Sequence, residues 1–186
     1  MSSAAEQPPT FTFEEYLKLE SVSEVRHEYV GGHVYAMTGG SVRHGLLVQL
    51  VNARLLTAFL PKGCRVHSHD TKLRIPDGRT YYPDVYVVCG PKAHPLYDTD
   101  AQWVVEVRSP TTAATDDREK SPAYMQLASL EGYILADPDS RYLELRTPTD
   151  VGWSVSRYGD GAVLEAGPAA LDVTEIFDQL DELDTA

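Results

Sequence analysis

Two short valine-rich runs, each carrying one acid, constrain this chain more than any other feature. The first is Tyr82-Pro83-Asp84-Val85-Tyr86-Val87-Val88-Cys89 and the second is Trp103-Val104-Val105-Glu106-Val107-Arg108-Ser109-Pro110. Both have strand length, β-branched content and turn-forming boundaries, so both predict strands. A carboxylate in such a setting is normally neutralised, paired or bound to a metal, because burial disfavours its charge. If the two runs are neighbours in a sheet, their backbones lie about 4.8 Å apart. Asp84 and Glu106 at one level could then share a divalent cation. Side-chain alternation puts Val104, Glu106 and Arg108 on one face and Trp103, Val105 and Val107 on the other. Two acids with a cation nearby suit a metal-dependent nuclease. Oxygen ligands hold a hard ion such as Mg²⁺, which activates water and stabilises charge on phosphate. The same residues also admit a plainer reading, in which Glu106 pairs with Arg108, Lys120 or another base to stitch the sheet.

The length of 186 residues suits one domain with a sizeable core, expected over residues 11–180 after a mobile terminus at 1–10. No apolar run is long enough to cross a bilayer and no export signal stands at the start, so a cytoplasmic location is expected. The formal net charge of −12 argues against an extensive DNA-binding surface. A local basic patch beside metal-binding acids would still serve a nuclease. The two cysteines, Cys64 and Cys89, lack a CxxC context, and Cys89 at the end of an apolar run reads as a buried thiol.

Along the chain, residues 10–20 predict a helix capped by Thr12 with Glu15 closing a capping box. Residues 26–37 predict a hairpin turning at Gly31-Gly32, with Glu28 either exposed or facing the site. Ser41 caps a helix to about residue 59, whose core stripe includes Leu47, Val51 and Leu55. His44 in its first turn is either an ordinary helix-start residue or a site residue. Residues 64–75 read as one strand of imperfect alternation, with Asp70 a candidate third acid. His67 and His69 form an i, i+2 pair that could bind a metal but, without a third ligand nearby, is expected in solvent. Asp77-Gly78 turns that strand onto the Asp84 strand. Residues 90–101 are an irregular connection. Pro110 stops the Glu106 strand, and Thr115 can cap a helix start in the polar stretch beyond it. Lys120 and Tyr124 share a helix face, either on one kinked helix or with a fresh helix from Ser121-Pro122 to residue 128. Residues 132–138 predict a strand and turn, and 141–146 with 153–158 an antiparallel pair. Residues 172–183 predict a final helix burying Ile176, Phe177 and Leu180. This mixed order predicts an α/β (α+β) class around one sheet.

Taken in order, the stretch from Glu28 to Met37, then Ser41 and His44, Tyr82-Pro83-Asp84-Val85, Val105-Glu106-Val107-Arg108-Ser109-Pro110-Thr111-Thr112, Asp117-Arg118-Glu119-Lys120 with Tyr124, and Asp137-Pro138 resemble the Uma2 family of putative restriction endonucleases. That family is similar to the PD-(D/E)xK nucleases. The resemblance implies a restriction-endonuclease-like mixed β-sheet flanked by helices. It implies Asp84 and Glu106 as ligands of Mg²⁺ (or Mn²⁺), with the Val107 carbonyl as a third. It makes Lys120 the catalytic cation, while Arg108 stands where the wider superfamily keeps its lysine. Arginine stays protonated, so Arg108 could stabilise charge but not act as a base. Glu28 and His44 match further polar positions. Two departures stand out: Gly132-Tyr133-Ile134 replaces the usual Glu-Tyr-Trp, and Pro122 closely follows the lysine. The implied activity is hydrolysis of DNA by a soluble protein, possible as a homodimer. The alternatives are a degenerate binding or regulatory module on the same fold, and a hydrolase of small phosphorylated or nucleotide substrates.

Overall fold

The computed structural model describes residues 10–92, 94–109 and 116–185. The terminus expected to be mobile (all but Thr10), the stop at Pro110 and the cap at Thr115 lie outside them. Its frame is a six-stranded sheet of β3 (Arg65–Ser68), β6 (Val85–Val88), β8 (Trp103–Val107), β9 (Gly132–Asp137), β10 (Tyr142–Thr149) and β11 (Gly152–Tyr158). In space the order is β11-β10-β9-β8-β6-β3. The pair β8–β9 is parallel and the other neighbours in this sheet are antiparallel. The two valine-rich runs are thus adjoining strands, paired Val85 to Val105 and Val87 to Trp103.

Alternation divides the sheet into two faces as the sequence predicts. Val85, Val87, Trp103, Val105, Val107, Ile134 and Ala136 join one core. It packs beneath α2 (Val42–Phe59) and α4 (Val173–Asp184), whose buried stripes are Leu47, Val48, Val51, Leu55 and Phe59, and Val173, Ile176, Phe177 and Leu180. Ser41 caps α2 by accepting from the His44 amide, and Asp172 caps α4 from the Glu175 amide. On the opposite face Tyr86, Val104, Tyr133 and Leu135 form a second core. Leu73 and Tyr81 of a second sheet and Ala123 and Tyr124 of the short α3 (Ser121–Tyr124) cover it.

That second sheet holds β1 (His27–Val30), β2 (His33–Ala36), β4 (Lys72–Arg74), β5 (Thr80–Tyr81) and β7 (Tyr97–Asp98), in the order β2-β1-β5-β4-β7. The predicted hairpin is β1 with β2, turned by Gly31 and Gly32 at φ 57° and 87°, the left-handed geometry a two-residue primed turn needs. Helix α1 (Phe13–Val22) carries the full Thr12–Glu15 capping box.

Several expectations need correction. The run 64–75 is two strands in different sheets, β3 and β4, separated by a turn at Asp70. The Asp77-Gly78 turn therefore joins β4 to β5, not to the Asp84 strand. The connection before β8 holds the two-residue strand β7, parallel to β4. The choice between one kinked helix and two pieces resolves as a π-helical turn, Asp116–Lys120, running directly into α3. The helix expected to reach residue 128 ends at Tyr124. Cys89 is neither buried nor a thiol: it is exposed and disulfide-bonded to Cys64. The antiparallel pairing of Arg65 with Val88 sets the two cysteines opposite each other, just past the ladder. The chain closes with the hairpin β12 (Val163–Ala166) and β13 (Ala169–Asp172), followed by α4. No described helix is long and apolar enough to cross a membrane.

Candidate active site

The ladder between β6 and β8 sets residue 84 opposite residue 106. Pro83 has no amide hydrogen to give a ladder, and Asp84 stands where β6 has not yet begun. Its Oδ2 accepts from the Val107 amide at 2.7 Å. The Asp84 carboxylate therefore caps the neighbouring strand beside the Val107 carbonyl, because the N–H and C=O of one strand residue point the same way. His44 reaches the same place from the first turn of α2. Its Nε2 lies 3.1 Å from the Val107 carbonyl oxygen and 3.4 Å from Asp84 Oδ2. His44 thus both opens α2 and stands against Asp84.

Glu106 is only 3% exposed. Its Oε1 accepts from the Tyr124 hydroxyl at 2.7 Å and lies 3.3 Å from Lys120 Nζ. Lys120 Nζ also lies 3.0 Å from Glu28 Oε1. Glu28 therefore faces inward from β1 rather than outward. The ammonium thus stands between a buried and a partly buried acid, and Tyr81 places its ring under it at 5.8 Å. Burial, then the charge of Glu106, pushes the Tyr124 hydroxyl well above its ordinary range, so it stays a donor. The π-helical turn and α3 put Lys120 and Tyr124 on one face, both aimed at Glu106.

Arg108 projects from the same face as Glu106, as alternation predicts, and its described contacts lead onward along the sheet. It donates to the Tyr142 hydroxyl at 2.9 Å and lies 3.7 Å from Glu144. Of the two candidate cations, Lys120 lies 3.3 Å from Glu106 Oε1. Asp70, the candidate third acid, is 75% exposed at its side chain and meets Arg26 at 3.9 Å. It lines the rim of a groove of about 390 Å³ shared with His44 and Asp84. The sharp β3–β4 turn swings it out of the strand it was expected to continue. His67, expected in solvent, is instead partly buried at 3.2 Å from Asp98, while His69 is exposed as expected.

Besides Glu106, three acids among the described residues are buried without having been singled out from the sequence: Glu20, Glu144 and Asp98, the partner of His67. Glu20, at the end of α1, accepts from the Tyr82 hydroxyl, meets His27 Nδ1 at 2.8 Å and lies 4.0 Å from Lys72. It thereby ties down residues flanking both Asp84 and Glu28. Glu144 on β10 is 1% exposed and is held by Arg146 at 2.7 Å and Arg157 at 2.8 Å. Its burial alone would raise its pKa, but the hydrogen bonds from Arg157 and Arg146 outweigh that and lower it. The signal for Glu20 was its helical spacing from Tyr16. Glu144 gave none, because its alternation with Leu143 and Leu145 reads as an exposed face.

Known proteins share this architecture. The Uma2 family model, described as putative restriction endonuclease, matches residues 13–181. An uncharacterized protein of Synechocystis sp. (strain ATCC 27184 / PCC 6803 / Kazusa), slr1290, is 35% identical over 158 residues, covering 81% of this chain and 81% of its own length. A second from the same organism, sll1609, is 26% identical over 134 residues, covering 68% and 74% respectively. The fold is similar to the crystal structure of a putative nuclease belonging to DUF820 from Anabaena variabilis ATCC 29413. The TM-score is 0.74 at 17% identity, with 93% of this chain and 99% of that chain covered. At that identity the likeness speaks for the fold alone.

Proposed function

Because this chain belongs to the Uma2 family of putative restriction endonucleases, we propose that it is a Mg²⁺- or Mn²⁺-dependent endonuclease that hydrolyses phosphodiester bonds of DNA. The observation that carries this reading is the opposition of Asp84 and Glu106 on adjoining strands, with Lys120 seated on Glu106. The residues fit a hard cation. Asp84, Glu106 and the Val107 carbonyl are all oxygen donors at one end of β8, the donor type such ions select. Among the described residues no group of three or more acidic, histidine or cysteine side chains is arranged to hold a metal by itself. A cation here would complete its shell with the Val107 carbonyl, water and phosphate oxygens, as Mg²⁺ commonly does. Once bound, it would supply Lewis-acid stabilisation of phosphoryl oxygens and acidify water.

The chain's own groups divide the remaining work. The Tyr124 hydroxyl fixes Glu106 by donating to Oε1. Lys120, held between Glu28 and Glu106, brings a positive charge to where negative charge develops on phosphate. His44 orients the Asp84 carboxylate and the Val107 carbonyl toward each other. Plasmid nicking in Mg²⁺ or Mn²⁺ tests the reading. Cleavage by the wild type should fall at least about a hundredfold in Asp84→Ala and Glu106→Ala, the scale of losing one electrostatic stabiliser. Equal cleavage by the variants, or none by the wild type, overturns it. The net charge of −12 favours a second reading, a metal-free regulatory module on the same fold. Calorimetric titration with Mn²⁺ separates the two, since only the enzyme reading requires binding that Glu106→Ala abolishes. Cutting both strands of a duplex would call for two such sites, so a homodimer is proposed with it. Sedimentation equilibrium checks that point.

A further inference from the structure

Glu106 belongs to a row of residues that crosses the sheet at one level: Glu106 is paired with Leu135, Leu135 with Glu144, and Glu144 with Arg157. The row starts at the buried acid of the candidate site and ends on β11, the open edge of the sheet. Three strand spacings separate its ends, about 14 Å, or about four base steps of a duplex at 3.4 Å each. At the outer end the Arg157 side chain is 64% exposed, yet it is held at two points. Its Nε donates to Glu144 Oε2 at 2.8 Å and its guanidinium lies 5.1 Å from the centre of the Tyr142 ring. Among the described residues no acceptor sits on its terminal nitrogens.

An exposed arginine ordinarily samples many rotamers, and ordering it on a ligand costs entropy. Here a buried carboxylate on one side and an aromatic ring on the other have already fixed the fork. Its terminal N–H groups meet no acceptor among the described residues, so an exposed guanidinium fork is available to take a phosphate through two parallel hydrogen bonds. The same Tyr142 and Glu144 also engage Arg108, the residue two positions beyond Glu106. The anchored arginine is therefore joined to the candidate site through a continuous set of contacts. We propose that Arg157, held by Glu144 and Tyr142, is a preorganised docking point for a backbone phosphate of the DNA strand, a few nucleotides from the bond that is cut. This rests on the nuclease reading above and adds a second point of contact for the substrate, at the exposed sheet edge on β11.

The test measures binding of a fluorescent DNA duplex to the full chain in Ca²⁺ by anisotropy, across a range of salt. Arg157→Ala should weaken binding about tenfold and reduce the slope of log affinity against log salt by about 0.9, the value of one phosphate contact. Tyr142→Ala, which leaves the arginine in place but removes its ring, should give a smaller loss with the slope kept. Mn²⁺ affinity by calorimetry should be unchanged in Arg157→Ala, which also shows that the variant is folded. If the wild type binds and Arg157→Ala matches it in affinity and slope, the docking point is overturned and the nuclease reading stands. If the wild type binds no DNA at all, both fall together.

Discussion

At the scale of single residues, the candidate site is a study in buried acids that differ in how they are satisfied. Glu106 is met at Oε1 by the Tyr124 hydroxyl and the Lys120 ammonium. Removing the hydroxyl in Tyr124→Phe should cost about 1.5–3 kcal/mol, the range for hydrogen bonds to a charged group, and urea denaturation measures it. Glu144 relies on guanidinium groups, and its carboxyl is held below its ordinary value of 4.5. A depressed acid stabilises the fold fully above its unfolded pKa, and the contribution is lost as pH falls through the folded value. Glu144→Gln should therefore cost about 2 kcal/mol at pH 7. It should also flatten the decline of stability below about pH 4.5 in acid titrations followed by circular dichroism. That Asp84, Glu106 and Lys120 come together was legible in the sequence as a charge beside valines, or on a helical face with tyrosine, that needs a partner. Glu144 was not, because what buries it lies elsewhere: Arg146, which grips it, also donates to Ser121 of α3, far away in the chain.

Among the elements, β8 and β9 set the geometry, and a glycine sets how closely they pack. A Cβ on Gly132 would stand 2.4 Å from Trp103 Cζ3 and 3.0 Å from Leu145 Cδ1. Gly132→Ala should thus force the indole of Trp103 to move at a cost of about 1–3 kcal/mol, visible as a shifted tryptophan emission and a lower thermal midpoint. The departure from the family's usual sequence at residues 132–134 leaves β9 intact, since the strand pairs in register along both sides. Pro122 is accommodated in the first turn of α3, directly after the π-helical turn. Helices α1, α2 and α4 were legible from caps and apolar stripes. The break between β3 and β4 was legible only as imperfect alternation, Val66 falling on one face and Leu73 and Ile75 on the other, and only the tertiary pairing assigns the two halves to different sheets. The π-helical turn is equally silent in composition, yet it helps bring Lys120 and Tyr124 to the same acid.

On the scale of the whole molecule, Cys64–Cys89 closes a loop with a sequence separation of 25. A cross-link of that span should stabilise by about 3–4 kcal/mol in the chain-entropy view. Guanidinium denaturation with and without a reductant should show that difference, with thiol counting giving two free thiols only after reduction. Sequence could pair neither cysteine, because the pairing depends on the register of β3 against β6. The charge of −12 was legible from composition. What composition could not say is how it is distributed, with Arg43 and Arg141 gathering Asp178, Asp181 and Asp184 around α4.

The candidate site also straddles regions of unequal permanence. Glu106 rides on β8, an inner strand of the larger sheet, whereas Glu28 comes from a hairpin at the rim of the smaller sheet, joined to β5 through Tyr29 and Thr80. Amide deuterium uptake should be slowest at Val105 and Val107 and faster by orders of magnitude along residues 27–36. Fraying would then part Lys120 from Glu28 while leaving it against Glu106, so the ammonium's grip on Glu106 would tighten or slacken with the breathing of the ribbon beside it.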